Sequence, residues 1–407
     1  MKTPLLFLCH RMPFPPNKGD KIATFNLMKY LSKRFDLYLG CFIDDEFDFQ
    51  YKDEVAKYCK ETCFIDISSK RYIVSGIRSL VARTPVSVEH YKSASLQKWV
   101  DHVVAANDID YLFAYCSSVA QFITPARFAN KKRVLDMCDV DSDKWRQYCE
   151  NKPLHSKLIY GREYRLLSDY EQFLLRELDG ITLVTDEERE LFRKLSPQSY
   201  SEKISTLSNG VDIAYFSPDA EYDYTDQPQC DGPSVCFTGA MDYWANEDAV
   251  VWFAEHVWPE LSKACPNLTF YIVGGNPSER VKDIANLENV IVTGRVVDVR
   301  PFIAHATVCV ATLRIARGVQ NKVLEAMAMN KPVVMTSMAQ EGIALPLSQQ
   351  SFVQDTPSAV LSAIKQLLES PELAYSVGKE NRGWIETHYS WDGALKPLDT
   401  IFPSDTL

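Results

Sequence analysis

Residues 308–336 of this 407-residue chain read VCVATLRIARGVQNKVLEAMAMNKPVVMT, and that stretch restricts the fold more than any other. Its pattern predicts a buried strand (Val308 to Leu313), a basic loop carrying Arg314, Arg317 and Gly318, a helix over about Val319 to Met329, and a second apolar strand after Asn330, Lys331 and Pro332. Two apolar strands joined by a helix form a crossover unit, which belongs in a parallel sheet covered by helices. The helix rests on Val319, Val323, Ala326 and Met327 sharing one face, and it is stopped by an Asn that tolerates the left-handed conformation and a Pro that cannot continue.

The start of that helix is where chemistry is expected. Unpaired amides at Gly318, Val319 and Gln320, with Asn321 beside them, face the carboxyl edge of the preceding strand, and the helix dipole favours negative charge there. Arg314, Arg317 and Lys322 lie within about a turn of that point, a setting suited to a diphosphate. Glu325 stands among Val323, Leu324, Ala326 and Met327, where a carboxylate is costly unless bonded. It either accepts the hydroxyls of a ribose or is a solvent-facing residue of an amphipathic helix.

The run RGVQNKVLEAMAMNKPVV resembles the donor-site signature of retaining glycosyltransferases of the GT-B fold, glycosyltransferase family 4. In that family two glutamates eight positions apart bracket a Gly-containing helix start. The resemblance puts Glu325 on the second glutamate, which holds the nucleotide ribose, and Gly318, Val319, Gln320 and Asn321 on the turn whose amides hold phosphates and sugar. Arg317 stands where the first glutamate would be, which is closer to the sugar transferases associated with exosortase and exopolysaccharide loci.

Length supports two domains, each of about 200 residues. With 46% apolar and 24% charged residues the chain has the profile of a soluble globular protein, and its net charge of −10 argues against nucleic-acid binding through a global positive field. Eleven cysteines without a CxxC pair read as reduced thiols in a cytoplasmic protein rather than as disulfides or a zinc site. The opening MKTPLLFLCHRMPFPP reads as a first strand, too short for a signal-peptide core, and no run of about 18 apolar residues supplies a membrane span.

In the first half, Pro4 to Cys9 reads as a strand, followed by a Pro-rich loop, a helix opened by Gly19, and a strand from Leu37 to Phe42. In the resembling family this loop carries a P-x-x-x-G arrangement near the donor diphosphate, which Pro15 to Gly19 match. Residues 67–88 contain Lys70, Arg71, Arg78 and Arg83 and no acid, with Tyr72, Ile73, Ile77, Leu80 and Val81 on one helical face. Either that surface touches anionic lipid on the inner face of the cytoplasmic membrane, or the helix packs on the sheet.

Strands at Tyr111 to Tyr115 and Arg133 to Met137 release polar groups at their ends, the second into DMCDVDSDKW. Asp136, Asp139, Asp141 and Asp143 are accordingly site candidates, for contact with the acceptor or the transferred sugar, with helix capping by Ser142 and Asp143 as the plain alternative. A calcium loop is excluded because Lys144 takes the position that needs Gly. The charged helix from Ser156 to Leu178 carries no assigned chemistry, and Ile181 to Thr185 reads as the last strand of this half.

Asn209-Gly210 marks the passage to the second domain by resemblance, and Ser234 to Thr238 is its first strand, ended by Gly239. The family commonly grips the diphosphate with basic side chains just after that strand. Met241 and Asn246 occupy the region here, so Arg314 and Arg317 are expected to substitute. Strands Leu268 to Val273 and Val290 to Thr293 deliver Gly274 and then Gly294, Arg295 and Val296, the last of which meet the base by resemblance.

The expected architecture is α/β: two Rossmann-like, doubly wound parallel-sheet domains of GT-B type facing a cleft. Residues 1–208 bind the acceptor, 209–384 bind the nucleotide sugar, and a helix within 385–407 crosses back. The implied activity is retaining transfer of a sugar from a nucleotide sugar to a saccharide or lipid-linked acceptor in cell-surface or exopolysaccharide biosynthesis. Asp139, Asp141 and Arg317 are the catalytic candidates; no metal or other cofactor and no nucleic acid is expected. A nucleotide-sugar epimerase and an inactive assembly partner stay open as alternatives, whereas an NAD enzyme lacks its G-x-G-x-x-G.

Overall fold

The protein is described here by a computed structural model covering residues 2–16, 18–67, 71–151, 154–228, 232–316 and 318–403, with the backbone alone at 71–73, 148, 150–151, 154–156 and 158. The chain divides into two compact units, Met1–Asn209 with Leu395–Leu407, and Gly210–Ala394.

The first unit is built on strands β1 (Thr3–Cys9), β2 (Phe35–Ile43), β3 (Glu61–Asp66), β4 (Tyr111–Tyr115), β5 (Lys132–Cys138), β6 (Gly180–Leu183) and β7 (Ile204–Thr206). They pair in parallel in the order β3-β2-β1-β4-β5-β6-β7. Leu5 to Cys9 are fully buried, as expected of a strand covered on both faces. β6 is not the last strand of this half, a correction to the expectation: β7 follows, and its three residues are too few to show a period. The C-terminal residues add to this unit, with Phe402 buried against Phe113 and Tyr111, and the Tyr30 hydroxyl donating to Asp399 at 2.7 Å.

The second unit carries β8 (Ser234–Thr238), β9 (Thr269–Val273), β10 (Val290–Gly294), β11 (Val308–Ala311) and β12 (Val333–Met335), parallel in the order β10-β9-β8-β11-β12. The direction of winding reverses between β8 and β11, as it does between β1 and β4 in the first unit. In open sheets of this kind the crevice outside the carboxyl ends of the strands, at the reversal, is where ligands bind.

The helix after β11 runs Asn321–Ala328, shorter than the sequence suggests. Gly318 takes φ 66° and Gln320 is extended, so the chain turns before the helix begins. Val323, Leu324, Met327 and Ala328 are buried, and Asn330 at φ 58° supplies the left-handed stop. Burying the larger aliphatic side chains contributes about 1.5–3 kcal/mol each, enough to hold this short element by packing alone. The end of the chain is broken into helices Pro371–His388, Trp391–Ala394 and Leu398–Ile401.

Candidate active site

Three glycines end neighbouring strands at the carboxyl edge of the second sheet: Gly239 after β8, Gly274 after β9 and Gly294 closing β10. They sit at φ 158°, 155° and 70°, which a side chain rarely tolerates. The packing between two of them is also tight, since a Cβ on Gly274 would lie 1.7 Å from the Gly239 carbonyl oxygen. The loop after β8 is pinned to its neighbour by Met241 N–H donating to the Gly275 carbonyl at 2.9 Å and by the Asn276 amide donating to Asp242 at 3.1 Å.

Lys322 reaches this edge from the first turn of the Asn321–Ala328 helix. Its ammonium donates to the Asn246 Oδ1, lies 4.7 Å from the centre of the Phe237 ring, and is 3.3 Å from where a Cβ on Gly239 would be. Asn246 is itself fixed by its Nδ2 donating to the Ala240 carbonyl at 2.9 Å. A Cβ at 239 would meet the Asn246 Nδ2 at 2.7 Å and crowd the amide that holds the ammonium. Burial pushes the lysine down to about 8, partly offset by Glu325.

Glu325 follows three residues later on the same face of the helix, half-buried, with no hydrogen-bond partner among the described residues. Burial pushes its carboxyl up to about 7, partly offset by Lys322. At the helix start the Asn321 Oδ1 is buried and unbonded. The edge thus holds a desolvated ammonium, a desolvated carboxylate, a free amide oxygen and the amides of a helix start, with glycines opposite. The carboxylate and the amide oxygen are costly while unbonded, and together with the ammonium they fit a ligand carrying both an anion and hydroxyls.

That cost gives a prediction. Because the Glu325 carboxyl is raised from 4.5 to about 7, its ionisation opposes folding; the penalty is absent below about 4.5, grows between the two values and is complete above 7. Glu325→Gln is therefore expected to gain melting temperature relative to the parent protein as pH is raised from 5 to 8, while weakening donor binding. A variant that melts below the parent at pH 8 would show a structural carboxylate instead.

Arg314, expected at the diphosphate, is paired with a carboxylate in this structure. Its guanidinium bonds both carboxylate oxygens of Asp248 on the helix Trp244–His256, at 2.9 Å through Nε, and its side chain is 49% exposed. That fork-to-fork pair uses the same two-bond geometry that a phosphate would need. Arg317 lies outside the described residues. Arg295 is exposed beside Gly275, and Val296 is half-buried next to it.

Gly19, Asp139 and Asp141 belong to the first unit. Gly19 opens the helix Gly19–Ser32, and a Cβ there would meet nothing within 4 Å. Asp20 beside it is held well below the usual carboxylate range by His10 at 3.2 Å and Arg11 at 2.9 Å, against its burial. Arg11 also binds Asp44 at 2.7 Å. This network was missed in the sequence, although two basic residues directly after β1 were the available signal. Asp141 starts the helix Asp141–Asn151; burial raises its carboxyl, opposed by Lys144 at 3.7 Å and by Ser117 donating at 3.4 Å. Asp139 pairs with Lys144 at 3.4 Å. Among the described residues no group of three or more His, Cys, Asp or Glu is placed to hold a metal ion, and no helix is long and apolar enough to cross a membrane.

Residues 232–370 match the family described as Glycosyl transferases group 1, a span that includes Gly239, Gly274, Lys322 and Glu325. No curated protein sequence matches the chain. Among solved structures the chain is similar to sucrose-phosphate synthase from Thermosynechococcus elongatus, with a TM-score of 0.68 and 14% identity over 98% of each chain. It is also similar to Anabaena Alr3699/HepE in complex with UDP-glucose, with a TM-score of 0.65 and 12% identity over 97% of this chain and 98% of that one. A third is WaaG, a glycosyltransferase involved in lipopolysaccharide biosynthesis, at 0.67 and 13% over 98% and 100%. These likenesses establish the fold, two parallel-sheet α/β domains of GT-B type, and the stretch that matches the glycosyl transferases group 1 family lies within the second unit.

Proposed function

We propose that this chain, whose residues 232–370 match the glycosyl transferases group 1 family, transfers a sugar from a nucleotide-sugar donor to a saccharide or lipid-linked acceptor, with retention of configuration, in cell-surface or exopolysaccharide biosynthesis. The observation that carries this reading is the placement of Lys322 against Gly239 and Asn246, one turn from a Glu325 that lacks a hydrogen-bond partner among the described residues. The nucleotide-sugar class is supported by the UDP-glucose in the Anabaena structure.

In this account Lys322 and the amides at the start of the 321–328 helix neutralise the diphosphate as it departs, when its negative charge is largest. Glu325 accepts the ribose hydroxyls, which repays the desolvation of its carboxylate. Arg317, five residues before Lys322 in the sequence, is assigned to the same diphosphate, and Arg295 with Val296 to the base. Asp139 and Asp141 are assigned to the acceptor, and Lys144 pairs with both of them.

The experiment is to incubate the protein with UDP-, GDP- and ADP-sugars, with and without free saccharides and polyprenyl-diphosphate-linked sugars. Nucleoside diphosphate release that requires an acceptor, and a product whose anomeric configuration matches the donor, are expected. An epimerised donor without release would replace the reading, and an inverted product would remove retention from it.

A further inference from the structure

The helix Arg71–Ala82 lies on the first unit with its polar side inward. Ser75 and Ser79 are buried, at 2% and 0% exposure, while Ile77, Leu80 and Val81 are 61%, 65% and 83% exposed and Val74 is 46% exposed. The inward side is fixed by hydrogen bonds: the Ser79 hydroxyl donates to the Thr84 carbonyl at 2.6 Å, and the Arg162 guanidinium donates to the Ser79 carbonyl at 2.6 Å. Ile159, one turn before Arg162, is also 69% exposed. A helix that packs on a domain normally does the reverse, burying its aliphatic stripe and showing its small polar residues. Four aliphatic side chains at positions 74, 77, 80 and 81 form one outward arc, too concentrated to be scattered surface residues.

The charge around this arc narrows the occupant. Arg78 and Arg83 are exposed, and neither has an ion-pair partner among the described residues. The sequence from 67 to 88 contains four basic residues and no acid, in a chain of net charge −10. A second copy docking through the same face would bring these arginines against one another without a carboxylate to meet them. An anionic bilayer offers what both features need: acyl chains for the aliphatic arc and lipid phosphates for the guanidinium groups.

We infer that the outward face of the Arg71–Ala82 helix, through Val74, Ile77, Leu80 and Val81 with Arg78 and Arg83, docks the protein on an anionic lipid surface. The side chains that serve this contact are separate from the glycines, Lys322 and Glu325 of the second unit, so docking and donor binding are independently testable. The inference stands whether or not the acceptor is lipid-linked.

The test is cosedimentation of the full chain with vesicles of phosphatidylglycerol mixed with phosphatidylcholine, and with vesicles of phosphatidylcholine alone. Binding to the anionic vesicles is expected to be stronger by roughly tenfold or more and to weaken as salt is raised. R78E/R83E should reduce partitioning on the order of tenfold, and I77S/V81S should reduce it further at any salt concentration, with melting temperatures unchanged because all four side chains are exposed. Equal binding to both vesicle types, no binding to either, or variants that bind like the parent would overturn the inference. So would concentration-dependent dimerisation that the same substitutions abolish. Nucleotide-sugar thermal shifts measured on the same variants separate a failure here from a failure of the donor-site reading, since neither variant is expected to alter them.

Discussion

Lys322→Ala is expected to lower kcat/KM for glycosyl transfer by roughly 10²- to 10³-fold, the loss typical of removing one preorganised group that stabilises developing negative charge. Its ammonium is held by Asn246 and the Phe237 ring before any donor arrives, so no reorganisation is needed as the diphosphate leaves. Lys322→Arg should recover little, because the larger, planar guanidinium has to fit between the Asn246 amide and the Phe237 ring that hold the ammonium. Steady-state kinetics with the preferred nucleotide sugar check both substitutions. A Lys322→Ala enzyme within about threefold of the parent would show that the diphosphate is stabilised elsewhere.

Gly274→Ala is expected to cost about 3 kcal/mol or more, combining a strained backbone conformation with overpacking. The added carbon would stand 1.7 Å from the Gly239 carbonyl oxygen, at φ 155°. The atom it meets is backbone, so no side chain can swing aside, and β8 and β9 have to separate at their carboxyl ends. A fall in melting temperature of the second unit on the order of 10 °C is expected for a domain of this size. Because the same displacement moves Gly239 away from Lys322, nucleotide affinity should fall with it. A Gly274→Ala protein that melts within about 1 °C of the parent would mean that the two strand ends are not in this close contact.

The parts of this fold that could be read from the sequence are those specified by neighbouring residues. Tyr111–Tyr115 and Ser234–Thr238 are strands with the bounds their apolar runs predict, and Gly19 opens its helix. The strand, helix and strand of 308–336 are announced by continuous apolar runs broken by Gly318 and by Asn330-Lys331-Pro332. Their boundaries were less legible, because Gly318 and Gln320 spend two residues turning the chain before the helix at Asn321.

Side-chain partnerships were illegible for a different reason. Arg314 pairs with an aspartate 66 residues away, and no local pattern distinguishes that acid from the others near a strand end. With Arg314 paired to Asp248, the cation that stands against Gly239 is Lys322, a placement that depends on the three-dimensional meeting of β8 with the 321–328 helix. The 67–88 segment shows the same limit. Its spacing reveals an apolar face and a basic one, but only the packing of Ser75 and Ser79 tells which side faces outward.

The central claim is that Lys322, rather than Arg314, grips the donor diphosphate at the carboxyl edge of the second sheet. Calorimetric titration of UDP, GDP and ADP into the parent protein, Lys322→Ala and Arg314→Ala tests it most directly. The account predicts that at least one nucleoside diphosphate binds the parent, that Lys322→Ala weakens it by roughly tenfold or more, and that Arg314→Ala stays within about twofold. Binding that survives Lys322→Ala and is lost in Arg314→Ala, or a parent protein that binds none of the three, would contradict it.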